Sequence, residues 1–223
     1  MHRATLLRRY KRFLADVEMA DGTLLTAHCP NTGSMRTCGA PGDTIYLSHH
    51  PGKGRKYAYC WELTQTAQGF VGVNTHLPNK LVEEALEAGK IPELTEYTNW
   101  KREATAGESR LDFRLEGPKG VCWVEVKNVT LLEGDTLFFP DAVSARGTKH
   151  LETLQRLKQG GERAVLLFIV NRTDGASVAS AAHIDPVYAK AFAEARRQGV
   201  EVLAYRTHLS PEAIFLGQAV RVL

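Results

Sequence analysis

Asp112, Glu125 and Lys127 are three residue types that together can break a phosphodiester. In Val121-Cys122-Trp123-Val124-Glu125-Val126-Lys127, apolar and polar residues alternate. On a strand, Trp123, Glu125 and Lys127 therefore share one face and Cys122, Val124 and Val126 the other. Upstream, Ser109-Arg110-Leu111-Asp112-Phe113 reads as the first arm of a hairpin turning at Glu116-Gly117-Pro118-Lys119-Gly120, which brings Asp112 beside Glu125. Two converging carboxylates repel unless a cation lies between them, and hard oxygen ligands select Mg²⁺ or Mn²⁺ over zinc. Such an ion can bridge a phosphate and activate a water. Lys127 would stabilise the charge that develops in the transition state. The ordinary alternative for the same residues is a surface salt bridge between Glu125 and Lys127, contributing about 0–1 kcal/mol.

Neighbouring residues extend this reading. Glu103, just ahead of the hairpin, is a candidate third metal ligand, with a solvated surface glutamate as the bland alternative. Lys149 and His150, early in a helix expected over Ala142–Gln159, can face the same cleft, Lys149 as a phosphate contact and His150 as a proton carrier or phosphate contact. Pro140-Asp141 follows the Glu-x-Lys strand instead of preceding it, so Asp141 is expected to cap that helix. A nucleophilic role for Cys29 beside His28 is disfavoured, since adjacent strand residues point to opposite faces.

The elements that must position these residues fall into two parts. From Phe13 to about Asn74 the chain reads as five short strands, Phe13–Met19, Leu24–His28, Ile45–Ser48, Tyr57–Thr64 and Phe70–Val73, separated by turn residues. That count suggests a small barrel of oligonucleotide-binding (OB) type. At Leu77-Pro78-Asn79 the period changes: Leu81, Val82, Ala85 and Leu86 fall at helical spacing and Gly89 closes the helix. Strands near Ser109–Leu115, Val121–Val126, Ala164–Val170 and Val200–Tyr205 then alternate with helices near Ala142–Gln159 and Pro186–Gln198, as in a mixed α/β domain. The expected division is 1–76 and 77–223. Ala164–Val170 is apolar throughout, as befits a strand covered on both faces.

The formal net charge of +3 is only mildly basic, so the distribution of charge has to identify a polyanion partner. Arg8-Arg9-Tyr10-Lys11-Arg12-Phe13 and Lys53-Gly54-Arg55-Lys56-Tyr57 mix cations with aromatic rings, a combination that can hold phosphates while a ring stacks on a base. Arg8, Arg9, Lys11, Arg12, Lys53, Arg55 and Lys56 are therefore candidate DNA contacts, with solvated basic loops as the alternative. Four cysteines without a C-x-x-C pair indicate neither a disulfide framework nor a zinc knuckle. With no secretory or membrane-spanning pattern, a cytoplasmic location without a membrane partner is expected.

His28-Cys29-Pro30-Asn31-Thr32-Gly33-Ser34-Met35, Val73-Asn74-Thr75-His76-Leu77-Pro78-Asn79, Glu125-Val126-Lys127-Asn128-Val129-Thr130-Leu131 and Phe139-Pro140-Asp141-Ala142-Val143 resemble the sugar fermentation stimulation protein A family over nearly the whole chain. The resemblance implies an OB barrel joined to a domain similar to PD-(D/E)xK nucleases. It also implies DNA binding without sequence preference and a regulatory link to sugar, notably maltose, metabolism. Asp112, Glu125 and Lys127 correspond to the superfamily's triad and Glu103 to its helix carboxylate, although Leu111 stands where the motif has proline. A Mg²⁺- or Mn²⁺-dependent nuclease follows, with a catalytically inactive DNA-binding regulator as the alternative. A homodimer is compatible with either.

Overall fold

The computed structural model of the protein describes residues 1–52 and 56–223; Lys53 and Arg55 lie outside the described residues. The N-terminal part contains β1 (His2–Tyr10), β2 (Leu14–Met19), β3 (Leu24–His28), β4 (Thr44–His49), β5 (Tyr59–Thr66) and β6 (Gly69–Gly72). β1, β2 and β3 form an antiparallel meander, β4 returns to β1 and β5 to β4. A parallel pairing at His28↔Cys60 joins β3 to β5 and closes a five-stranded barrel of OB type. β6 is an addition to β5 outside that closure.

Patterning places the first strand at Phe13, whereas the chain is already extended from His2. The reason is chemical: of the residues in β1 only Ala4 and Leu6 are buried, and the arginines that fill the outward positions mask the alternation. The barrel core packs Leu6, Val17, Ala27, Ile45, Leu47 and Val71 around Trp61, whose indole N–H donates to the Leu63 carbonyl at 3.0 Å. Gly39 closes over the ring with φ +90°, where a Cβ would sit 2.9 Å from the Trp61 ring, so both its conformation and its space require glycine.

The α/β part runs α1 (Leu77–Glu87), a 3₁₀ turn (Pro92–Leu94), β7 (Asn99–Ala106), β8 (Ser109–Gly117), β9 (Gly120–Val129), β10 (Leu131–Glu133), β11 (Thr136–Phe139), α2 (Ala145–Gln159), β12 (Arg163–Val170), β13 (Ser177–Ser180), α3 (Pro186–Arg197), β14 (Glu201–Leu209), β15 (Ile214–Ala219) and β16 (Arg221–Val222). The main sheet has the order β15-β14-β12-β9-β8-β7, with β9, β12 and β14 parallel and the β7-β8-β9 meander antiparallel. β12 lies between β9 and β14 with Ala164 to Val170 buried throughout, as its unbroken apolar run requires. α2 and α3 cover one face through Leu151, Leu154, Tyr188 and Phe192, and α1 with the 3₁₀ turn covers the other through Val82, Ala85 and Leu94. A small sheet, β10-β11-β13-β16, flanks the main one.

α2 begins later than the sequence suggests, and Asp141 does not cap it. Ser144 is the cap, its hydroxyl accepting from the Gly147 N–H at 3.1 Å. Asp141 instead accepts from the Ser34 hydroxyl at 3.1 Å and the Ser34 N–H at 3.3 Å, joining the barrel to the α/β part. Ser144→Ala is therefore expected to cost about 1 kcal/mol in urea unfolding, the usual worth of such a cap. Asp141→Ala should leave the helix content measured by circular dichroism unchanged.

Candidate functional site

The β8–β9 ladder supplies Phe113↔Val124 as its last pair before Asp112. Beyond it, a side chain takes over from the backbone: the Val126 N–H donates to Asp112 Oδ2 at 2.8 Å. Strand β8 changes face at this point, since Leu111 packs under α2 and α3 while Phe113 packs under α1. The second oxygen, Oδ1, accepts from the Asn79 amide at 2.7 Å. Asn79 lies in the first turn of α1, where Pro78 favours helix initiation.

Glu125 is 2% exposed. Its Oε1 accepts from Lys127 Nζ at 2.5 Å and is also bonded to His150 Nδ1, from the second turn of α2. Its Oε2 is buried with no hydrogen-bond partner among the described residues. Lys127 is itself largely buried, so this is not the exposed salt bridge that the sequence leaves open. Burial and then the charge of Glu125 push the Asp112 carboxyl above its ordinary value, against the Val126 N–H, Asn79 and Lys127. Burial pushes Glu125 up as well, but the bond to His150 and the charges of Lys127 and His150 outweigh it and hold Glu125 below the usual range. An orphaned carboxylate oxygen beside a second, charge-strained carboxylate is a donor set that a hard cation would satisfy.

Glu103 does not join them. It stands between the pairs Arg102↔Phe113 and Ala104↔Leu111 with φ 49°, on β7 and not on a helix. Its exposed carboxylate pairs with Arg110 Nε at 2.8 Å. The helix position facing Asp112 is occupied by Asn79, which the sequence reading missed even though it ends the Val73–Asn79 block. Among the described residues, no group of three or more His, Cys, Asp and Glu gathers to hold a metal. A cation here would have two carboxylates, an arrangement Mg²⁺ commonly accepts when water and phosphate complete its shell.

The candidate DNA contacts separate by their commitments. Arg8 pairs with Asp16 at 2.8 Å and lies over the Tyr10 ring. Arg9 does not present a free cation: its guanidinium donates to the carbonyls of Arg12, Asn31 and Gly33, at 2.9, 2.8 and 3.1 Å, and pins the Asn31–Gly33 loop. Lys11 and Arg12 form the exposed turn after β1, both with positive φ. Lys56 is exposed with its ammonium over the Tyr57 ring. Lys149 is exposed and 3.5 Å from Glu108, whereas His150 is buried against Glu125 and cannot be a surface phosphate contact. Burial pushes the Cys29 thiol up, away from the thiolate a nucleophile needs.

The fold and this site together define a two-part protein, a closed OB-type barrel followed by a mixed α/β domain with paired carboxylates on its β8–β9 hairpin. The model for the SfsA N-terminal OB domain matches residues 7–73, and that for the sugar fermentation stimulation protein RE domain matches residues 76–213. The chain belongs to the sugar fermentation stimulation protein (SfsA) family. It is 49% identical to the sugar fermentation stimulation protein homolog of Geobacter metallireducens, over all of this chain and 97% of that one. It is 52% identical to the homolog of Shewanella baltica, over 98% of this chain and 95% of that one. The structure of Pyrococcus furiosus SfsA in complex with Ca²⁺ superposes with a TM-score of 0.90 at 30% identity, covering 100% of this chain and 95% of that one.

Proposed function

We propose that this protein binds DNA without sequence preference through the barrel and its basic turns, and hydrolyses a phosphodiester with Mg²⁺ or Mn²⁺ held by Asp112 and Glu125. The observation that carries this reading is the buried, unpartnered Oε2 of Glu125 beside Asp112. The Pyrococcus relative's complex with Ca²⁺, another hard, oxygen-seeking cation, supports it.

When bound, the cation would supply Lewis acidity toward a phosphate oxygen and lower the pKa of a water. The chain's own residues do the remaining work. Val126 N–H and Asn79 fix both oxygens of Asp112, so that its carboxylate is aimed before substrate arrives. His150 and Lys127 engage Glu125 Oε1, so that Oε2 is the oxygen that would be free to hold the cation. Lys127 keeps an ammonium beside the pair, where it offsets charge building on the phosphate oxygens.

Purified protein and a Glu125→Ala control, incubated with linear, supercoiled and single-stranded DNA in Mg²⁺ or Mn²⁺, test the enzyme reading. Cleavage by the parent alone supports it; equal cleavage by both proteins, or none on every substrate, overturns it. The second reading, an inactive DNA-binding regulator, is favoured by one observation: Glu103, the expected third ligand, is turned away. Binding without cleavage selects it.

DNA affinity should fall steeply with salt, and Lys11→Gln with Arg12→Gln should weaken it for all sequences alike while flattening the salt dependence, by about one unit of slope per lost phosphate contact. Fluorescence anisotropy at several salt concentrations measures both, and a salt-independent affinity would contradict the binding claim.

A further inference from the structure

A cavity of about 520 Å³ opens where the β3–β5 seam of the barrel, Lys56 and Tyr57 ahead of β5, and the first turn of α1 meet. Its volume is that of a small-molecule site. Its lining combines three kinds of group: the rings of Tyr57, Tyr59 and His50, the ammonium groups of Lys56 and Lys80, and the carboxylate of Glu62. Glu62 is 6% exposed and held by the Ser48 hydroxyl at 2.6 Å and the Asn74 amide at 2.8 Å.

These groups are set in place by their surroundings. Tyr59 stacks on His49 with centroids 4.6 Å apart and planes 25° apart, and His50 is tied to Ser48 Oγ at 2.7 Å. Rings to stack on, cations for a phosphate and a fixed acceptor for an amino group are the recognition elements of a nucleotide.

The cavity also adjoins the carboxylates. Lys80 lines it, and Asn79, the preceding residue on α1, bonds Asp112. One helical turn thus stands between the cavity and Asp112, one of the two carboxylates proposed to hold the cation. A base stacked inside a duplex cannot enter a recess of this kind; it must be unpaired or turned out of the stack.

From this geometry we propose that the cavity seats one unpaired nucleotide, so that the strand presented to Asp112 and Glu125 is single-stranded or locally unpaired DNA. The proposal deepens, and rests on, the reading of the chain as a DNA-handling protein.

The test uses the full-length protein and an oligonucleotide carrying 2-aminopurine, whose fluorescence falls when its base stacks on an aromatic ring. The parent should bind the single strand at least about 10-fold more tightly than a blunt duplex of the same length, and should quench the probe. Tyr57→Ala, checked for native circular dichroism, should lose both the quench and most of that preference. Lys80→Gln, an exposed position, should lose affinity for the single strand but not for the duplex. Equal affinity for single strand and duplex, or a quench unchanged in Tyr57→Ala, would overturn the proposal. So would competition by dAMP as effective as that by the oligonucleotide, because the cavity would then be a site for free nucleotides. Glu125→Ala separates the two readings. Loss of cleavage with the single-strand preference intact supports both, cleavage without the preference removes the cavity's role alone, and the preference without any cleavage in the parent removes the enzyme reading alone.

Discussion

Asp112→Asn is expected to reduce metal-dependent cleavage about 100-fold or more, equivalent to ~2.7 kcal/mol of barrier, and yet leave the cation-free protein at least as stable as the parent. Both effects come from one geometry. Asp112 is a partly buried carboxylate beside the buried carboxylate of Glu125, and desolvation and that neighbouring charge both raise its pKa. A folded-state pKa above the unfolded value means that the native state binds the proton more tightly. The parent in chelator should therefore gain stability as pH falls from the raised value toward the ordinary aspartate range and lose it as pH rises back through that window. Asparagine carries no charge to desolvate and can still accept the Val126 N–H, so the variant's stability should be flat there. Glu125 acts in the opposite sense and lower on the scale: its pKa is depressed, so its contribution is lost as pH falls through its folded value. Subtracting the two pH–stability curves, measured by thermal unfolding with EDTA, isolates the Asp112 window. An asparagine variant markedly less stable than the parent across that window would show that Asp112 is a structural anchor, not a carboxylate kept under strain for a cation.

What could be read from the chain, and what could not, divides along physical lines. Strand β9 was legible because apolar and polar residues alternate on it with a period of two, and β12 because its run is apolar throughout. The hairpin that brings Asp112 to Glu125 follows from the Gly117-Pro118-Lys119-Gly120 turn and local register. β1 was hidden because its buried positions are few and its outward ones are cationic, so a strand at the centre of the barrel reads as a basic arm. The same blindness covers Arg9: sequence reports its charge but not the three carbonyls that consume it. Glu103 and Asn79 were exchanged in role for a related reason. A carboxylate near the hairpin attracts attention, but whether it faces the site depends on a positive φ at Glu103 and on how α1 docks, and neither leaves a local signature. His150 was singled out for its chemistry, but its burial against Glu125 is a tertiary fact.

Arg172→Met should cost about 3–5 kcal/mol in urea unfolding, the range for breaking a buried ion pair from one side, against a total stability that for most domains is about 5–15 kcal/mol. Arg172 is 3% exposed and joins the two parts of the fold. Its Nη1 donates to the Thr37 hydroxyl, in the barrel, and to the Thr130 carbonyl, after β9, both at 2.9 Å. Nε and Nη2 grip Asp174 at 2.7 and 2.8 Å. Methionine fills most of the space but leaves Asp174 largely buried without the guanidinium that grips both its oxygens, and the Thr130 carbonyl with only the longer 3.3 Å bond from the Thr37 hydroxyl. If the uncompensated charge is the larger part of the loss, adding Asp174→Asn should recover a substantial share, and a double variant as unstable as the single one would show that the lost bonds to Thr37 and Thr130 dominate instead. The backbone around Arg172 reinforces the same seam, with the Gly72 N–H donating to the Asn171 carbonyl at 2.8 Å and Val71 bridging to Arg172. Because Thr130 follows directly on the strand that carries Glu125 and Lys127, this arginine also fixes where the barrel stands relative to the carboxylates. On the proposed function, loosening it should therefore lower cleavage more than DNA affinity: the barrel and its basic turns would still hold a strand, but the strand would no longer be delivered to Asp112 and Glu125.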